Sequence, residues 1–252
     1  MIKINKDKNI GRVLFIVEGE KTEFSLLRKV FCDILGYNYL EQSRRENDFL
    51  EKFENKNNKY SKVAVINTEQ SHISYIDDPN GFLDDLFNLL ITEYNFPVDK
   101  AAIFYLFDRD PGSNKKEAVE KFINTLKDPY DNEELRGGLL LLSYPALESY
   151  ITSSFQENSS SLEFEFGKPL KLFNNQQKYM INNLSPQTIK QAANELIDYL
   201  ATEQIDFNLD DFFETNYQIF NKQEEFYSQT SKYKLLSLLS VAFIYLGIIS
   251  FD

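Results

Sequence analysis

Apolar residues along this chain fall into two patterns. Four short runs are continuously apolar: Arg12–Val17 (RVLFIV), Lys62–Ile66 (KVAVI), Ala101–Phe107 (AAIFYLF) and Gly138–Ser143 (GLLLLS). A run without polar alternation is what a strand covered on both faces requires, so these segments predict buried parallel strands. Beside them lie stretches of helical spacing. Thr22–Leu35 sets Phe24, Leu27, Val30, Phe31 and Ile34 three and four residues apart, and Gly81–Tyr94 and Lys115–Leu126 repeat the pattern. Strands alternating with helices predict an α/β fold, a Rossmann-like parallel sheet flanked by helices.

Other segments are less regular. Residues 41–61 are polar and charged and predict a helix followed by a loop. Gln156–Ser161 (QENSSS) reads as a linker dividing residues 1–155 from a mainly helical region, 156–252. Within that region Pro186–Ala201, Asp210–Tyr227 and Lys232–Ile249 predict helices. Leu235–Phe251 is an uncharged run of 17 residues with three serines. A membrane span takes about 20 apolar residues, so a buried closing helix or an oligomer contact is expected in place of an anchor.

Composition narrows the class. A hydrophobic fraction of 42% and a charged fraction of 26% describe a globular chain. With 22 Phe, 15 Tyr and no Trp, the core must be largely aromatic. Cys32 is the only cysteine, which excludes an intrachain disulfide and a cysteine-based zinc site and fits a reducing compartment. The start, MIKINKDKNIGR, has no apolar stretch of the secretory kind, so a cytoplasmic location is expected. The net charge is −12: residues 1–150 carry 20 basic and 26 acidic side chains, and residues 151–252 carry 7 and 13. That balance opposes a tight grip on nucleic acid unless a local patch, a metal or a partner subunit supplies positive charge.

The candidate chemistry sits where two predicted strands end. Glu18-Gly19-Glu20-Lys21-Thr22-Glu23 follows the first strand, and Asp108-Arg109-Asp110-Pro111-Gly112 follows the third. Ligand sites in parallel α/β sheets form beyond the C-terminal strand ends. On extended backbone Asp108 and Asp110, two residues apart, point the same way. Three carboxylates brought together repel one another, and a hard cation such as Mg²⁺ relieves this with oxygen ligands, waters and substrate phosphate. After the fourth strand, Pro145 predicts a helix start with Glu148 one turn inside. The plainer readings are a helix N-terminus favouring Glu18 and Glu20, an Asp-Pro-Gly turn and a helix-start role for Glu148. Joint placement after two strands of one sheet favours the site.

These residues resemble a Toprim domain, the catalytic fold of topoisomerases, primases and OLD-type nucleases, with Glu18 after the first strand and Asp108/Asp110 after the third. The closer resemblance is to the RloB and AbiL-type group of phage-defence proteins. Its VEGEKTE-like start is matched by Val17–Glu23, and its VFDRD-like segment by Leu106–Asp110. Ser143–Tyr150 matches a third, SNPCFELWLL-like segment loosely, with Tyr for Asn and Ala-Leu for Cys-Phe. The resemblance covers about residues 10–155 and implies Mg²⁺- or Mn²⁺-dependent nuclease activity on DNA or RNA, transfer RNA included. It further implies antiviral defence by abortive infection with an ATPase partner. Glu18, Asp108 and Asp110 would hold metal and Glu148 would assist. Lys21 and Arg109 would bind phosphate, ahead of Arg28, Lys115 and Lys116.

The alternatives differ in class. Phosphoryl transfer through an aspartyl nucleophile places its Asp-x-Asp after the first strand, not the third. A P-loop is absent, as is G-x-S-x-G. His72 is the only histidine and reads as a loop or packing residue. The non-enzyme alternative is a regulatory subunit retaining the fold and docking through its apolar C-terminal helices; unlike a nuclease, it need not bind metal.

Overall fold

The continuous apolar runs are buried as their pattern requires: residues 13–17, 63–66 and 101–105 expose no more than 1% of their surface. The computed structural model describes residues 2–19, 21–45, 48–67, 85, 88–94, 96, 101–112, 115–130 and 137–251, with the backbone alone at 43–45 and 48. In chain order the strands are β1 (Ile2–Ile4), β2 (Arg12–Val17), β3 (Tyr37–Arg45), β4 (Asp48–Asn55), β5 (Lys62–Asn67) and β6 (Ala101–Asp108). They continue with β7 (Lys127–Asp128), β8 (Gly138–Tyr144), β9 (Glu163–Phe164), β10 (Tyr233–Lys234), β11 (Leu236–Ser237) and β12 (Ile249–Phe251). The α-helices are α1 (Thr22–Arg28), α2 (Lys116–Thr125), α3 (Glu148–Phe155), α4 (Gly167–Gln177), α5 (Pro186–Glu203), α6 (Phe212–Thr230) and α7 (Leu239–Tyr245). The fold is α/β, a mixed sheet with flanking helices, and the chain divides into two compact units.

The first unit comprises Asn9–Leu106 and Gly112–Leu140. Its strand order is β8-β6-β2-β5-β4-β3. β2 lies at the centre, parallel to β5 and β6, with Val17 opposite Leu106. Aromatic side chains fill its core, as the composition requires: Phe15 stacks on Phe104 at 5.5 Å, and Phe24 meets Phe49 edge-on at 4.6 Å. The helix predicted over Thr22–Leu35 forms, but from Lys29 to Ile34 it widens to a π-helix, in which the Leu35 N–H donates to the Val30 carbonyl. Of the helix expected over Gly81–Tyr94, residues 85 and 88–92 are helical and the other positions before residue 88 lie outside the described residues.

The helix expected within residues 41–61 is corrected to β-structure. β3 and β4 pair antiparallel, and β4 pairs antiparallel with β5. In β4 the period of two is real, but one of its core-facing positions is charged. Phe49 and Phe53 meet Phe24 and Phe31, while between them Glu51 is fully buried and takes the Arg28 guanidinium, Nε to Oε2 at 3.1 Å. A charge at a core position breaks the apolar alternation by which strands are recognised.

The second unit comprises Met1–Lys8, Phe107–Pro111 and Leu141–Asp252. β11 pairs antiparallel with β8, β9 with β10, and β1 with β12. α3 is buried nearly all round and rich in hydroxyls, which bond locally: Ser154 Oγ donates to the Tyr150 carbonyl at 2.8 Å. α5 starts at a capping box, Ser185 with Thr188, and has Pro186 in its first turn. Residues 156–161, read above as a linker, form a built turn. The carboxylate of Glu195 accepts from the Asn158 N–H at 3.1 Å and from the Ser159 N–H at 2.7 Å, and Ser159 is buried.

The single helix expected over Lys232–Ile249 is also corrected. The segment makes β10, β11, the short α7 and β12. Leu235 donates its N–H to Leu162 O at 2.9 Å, and Gly247, at φ +66°, turns the chain out of α7. An all-apolar run has no period to separate helix from strand. Among the described residues no helix is long and apolar enough to cross a membrane.

Candidate functional site

The turn after β2 is set by its neighbours in the first unit. Asn67, buried at the end of β5, donates through Nδ2 to the Val17 carbonyl at 3.1 Å and to the Glu18 carbonyl at 2.5 Å. It pins the strand end that carries Glu18. A Cβ at Gly19 would meet only the Glu23 carboxylate, 2.5 Å from Oε2, at the end of a side chain that can turn aside. Lys21 is exposed just before α1, and its carbonyl accepts from the Ser25 N–H at 3.0 Å. Lys115 and Lys116 are exposed at the start of α2. Arg28 is committed to Glu51. Glu20 and His72 lie outside the described residues.

In the second unit burial alternates through the Asp-Arg-Asp segment. Asp108 and Asp110 are half-buried, and Arg109 between them is buried. That alternation sends the arginine inward, where it meets a carboxylate from far along the chain. Arg109 Nε and Nη2 bond to Oε1 and Oε2 of Glu224 on α6 at 2.8 and 3.0 Å. The guanidinium also lies over the Tyr233 ring at 5.6 Å, and the Tyr233 hydroxyl donates to Glu224 at 3.0 Å. Burial by itself would lower the Arg109 pKa; the hydrogen bond and charge of Glu224 outweigh it, and the net direction is up. The phosphate role expected for Arg109 is therefore corrected to a structural one, because its fork is filled by Glu224 and only 2% of the residue is exposed.

The same segment is tied to the start of α3. The Arg109 N–H donates to the Ser143 carbonyl at 2.8 Å, and the Leu147 N–H donates to Oδ1 of Asp108 at 2.8 Å. A carboxylate accepting from an N–H at a helix start is favoured by the helix dipole. Glu148 follows directly; its side chain is 14% exposed and lies 3.9 Å from Lys171 Nζ. Asn174 Nδ2 donates to the Glu148 carbonyl at 3.0 Å. The second unit thus joins Asp108 to the residue preceding Glu148. Glu18 and Lys21 belong to the first. Among the described residues no three Asp, Glu, His or Cys side chains are grouped so as to hold one metal ion.

Sequence reasoning missed Asn67, Glu224, Asn174 and Lys171. Only Arg109 carried a signal, since alternation about two outward aspartates required it to be satisfied inside. No protein-family model, curated protein or solved structure matches the chain. The likeness to Toprim proteins therefore rests on the motif residues.

Proposed function

We propose that the chain is a metal-dependent nuclease of Toprim type that hydrolyses phosphodiester bonds, and that it serves antiviral defence with an ATPase partner. The observation that carries this reading is the register of two parallel strands. Val17 pairs with Leu106, the residues one and two positions before Glu18 and Asp108 in the sequence. Strand C-termini are where α/β folds bind ligands. The donor set, Glu18, Asp108 and Asp110, offers carboxylate oxygen alone, which fits a hard cation such as Mg²⁺ or Mn²⁺.

Bound there, the ion would supply charge neutralisation and a water of lowered pKa. The chain's own residues do the remainder. Asn67 fixes the backbone at Glu18, and Arg109 with Glu224 fixes the backbone between the two aspartates. On this reading Glu148, at the start of α3, would take a proton, and the exposed Lys21 would bind phosphate.

The test is cleavage of plasmid DNA, single-stranded DNA and total RNA with Mg²⁺, with Mn²⁺ and with EDTA. Wild type is compared with Glu18→Gln and Asp110→Asn, which keep side-chain size. Metal-dependent cleavage lost in both variants supports the reading and names the substrate. Absence of both cleavage and metal binding in the wild type removes it.

A further inference from the structure

The acidic charge of this protein is unevenly spread. Residues 166–194 contain Lys168, Lys171, Lys178 and Lys190 and no Asp or Glu. Residues 151–252 hold 7 basic and 13 acidic side chains, so with these four lysines set aside three bases face thirteen acids. The local surplus is of opposite sign to its surroundings.

The fold turns this surplus outward. In α4 the buried face carries Leu170 and Asn174. At 100° per residue, Lys168, Leu172 and Asn175 fall on the opposite face with Lys171 on its flank, and all four are exposed. Lys178, the residue after the helix, is exposed as well. Apolar groups are interleaved with the ammonium groups: Phe166, Leu172 and Met180 are 41%, 55% and 49% exposed. Lys171 is 65% exposed at its side chain and only 3.9 Å from Glu148, a long ion pair that another anion can replace. Lysines on one face with aromatic and aliphatic groups between them suit a chain of phosphates carrying flat bases.

We propose that α4 and the turn after it, residues 166–180, form a docking surface for the backbone of a single-stranded nucleic acid. That the polyanion is nucleic acid rests on the nuclease reading; the local excess of lysine does not. The surface answers the difficulty posed by a net charge of −12, since binding needs a local basic patch and not a basic protein. Its link to the candidate site is Lys171, which faces Glu148.

The experiment measures fluorescence anisotropy of labelled single-stranded DNA and RNA, each of about 20 nucleotides, in EDTA over a range of salt. Lys168→Gln/Lys171→Gln/Lys178→Gln is compared with wild type. Lys56→Gln/Lys59→Gln/Lys62→Gln, with the same change in net charge, is the control. The wild type is expected to bind. The patch variant should weaken binding at least about tenfold and lower the salt slope by about 2, at roughly 0.7 per lost phosphate contact. The control should bind like wild type.

No binding by wild type, or equal weakening in both variants, overturns the proposal. Binding to phosphatidylserine vesicles but to neither oligonucleotide also overturns it, in favour of a lipid surface. EDTA separates this surface from the catalytic reading. Oligonucleotide binding through the patch without cleavage under any metal removes the nuclease and keeps the surface. Cleavage with binding unchanged in the patch variant does the reverse.

Discussion

Arg109 and Glu224 form a buried ion pair, and such pairs behave asymmetrically when altered. Removing one partner leaves an uncompensated charge inside and costs about 3–5 kcal/mol; replacing both with apolar groups is often neutral. Glu224→Gln or Arg109→Met is therefore expected to lower unfolding free energy by about 3 kcal/mol, and Arg109→Met/Glu224→Met to restore most of it. Urea denaturation of the three variants checks this; equal losses in single and double variants would show that packing, not charge, is what matters. Cys32 is quieter. Burial first, then Asp33, pushes its thiol up to about 11. At pH 8 its thiolate fraction is then about a hundredfold below that of an ordinary cysteine. Ellman's reagent should accordingly label the native protein at least about fiftyfold more slowly than the denatured one. At this scale the sequence was partly legible. Asp108 and Asp110 could be placed on one side by period alone, which also forces Arg109 to the other. Its partner, 115 residues away, carries no local mark.

Secondary structure was most legible where burial is complete and least where a charge is buried. β2, β5, β6 and β8 emerge from uninterrupted apolar runs. β3 and β4 were hidden because a core-facing position of β4 is Glu51, and only tertiary pairing with Arg28 makes that tolerable. Arg28→Ala would leave that carboxylate buried with fewer partners. A loss of about 2–3 kcal/mol is expected. Hydrogen exchange should locate it in the β3–β4 hairpin and the helix from Thr22, with α5 unaffected. The C-terminal run failed for another reason. Leu235–Phe251 is apolar on every side, so pattern cannot decide between helix and strand; tertiary pairing of Leu236 with Tyr144 and of Ile249 with Ile4 decides. By contrast, α5 was legible from its ends. Ser185 with Thr188 closes the first turn, and Ser185→Ala should cost about 1 kcal/mol.

For the molecule as a whole, the proposed metal site makes a thermodynamic demand that a merely structural set of carboxylates does not. Any ligand that binds only the native state stabilises it, by about 2.7 kcal/mol at a hundred times its dissociation constant. For a chain of 252 residues that corresponds to a melting-temperature rise of about 5–10 °C. Wild type is thus expected to melt several degrees higher in millimolar Mn²⁺ than in EDTA. Glu18→Gln/Asp110→Asn separates the readings by sign. On the proposed reading the carboxylates repel one another until a cation arrives. The amides keep an oxygen acceptor and remove the repulsion, so in EDTA the variant should melt at or above wild type and then show no response to Mn²⁺. If these residues serve the fold alone, the variant melts lower in EDTA and wild type gains nothing specific from the metal. Differential scanning calorimetry of the two proteins, each with and without Mn²⁺, decides between these outcomes without a substrate, and so tests the site even where cleavage depends on a partner.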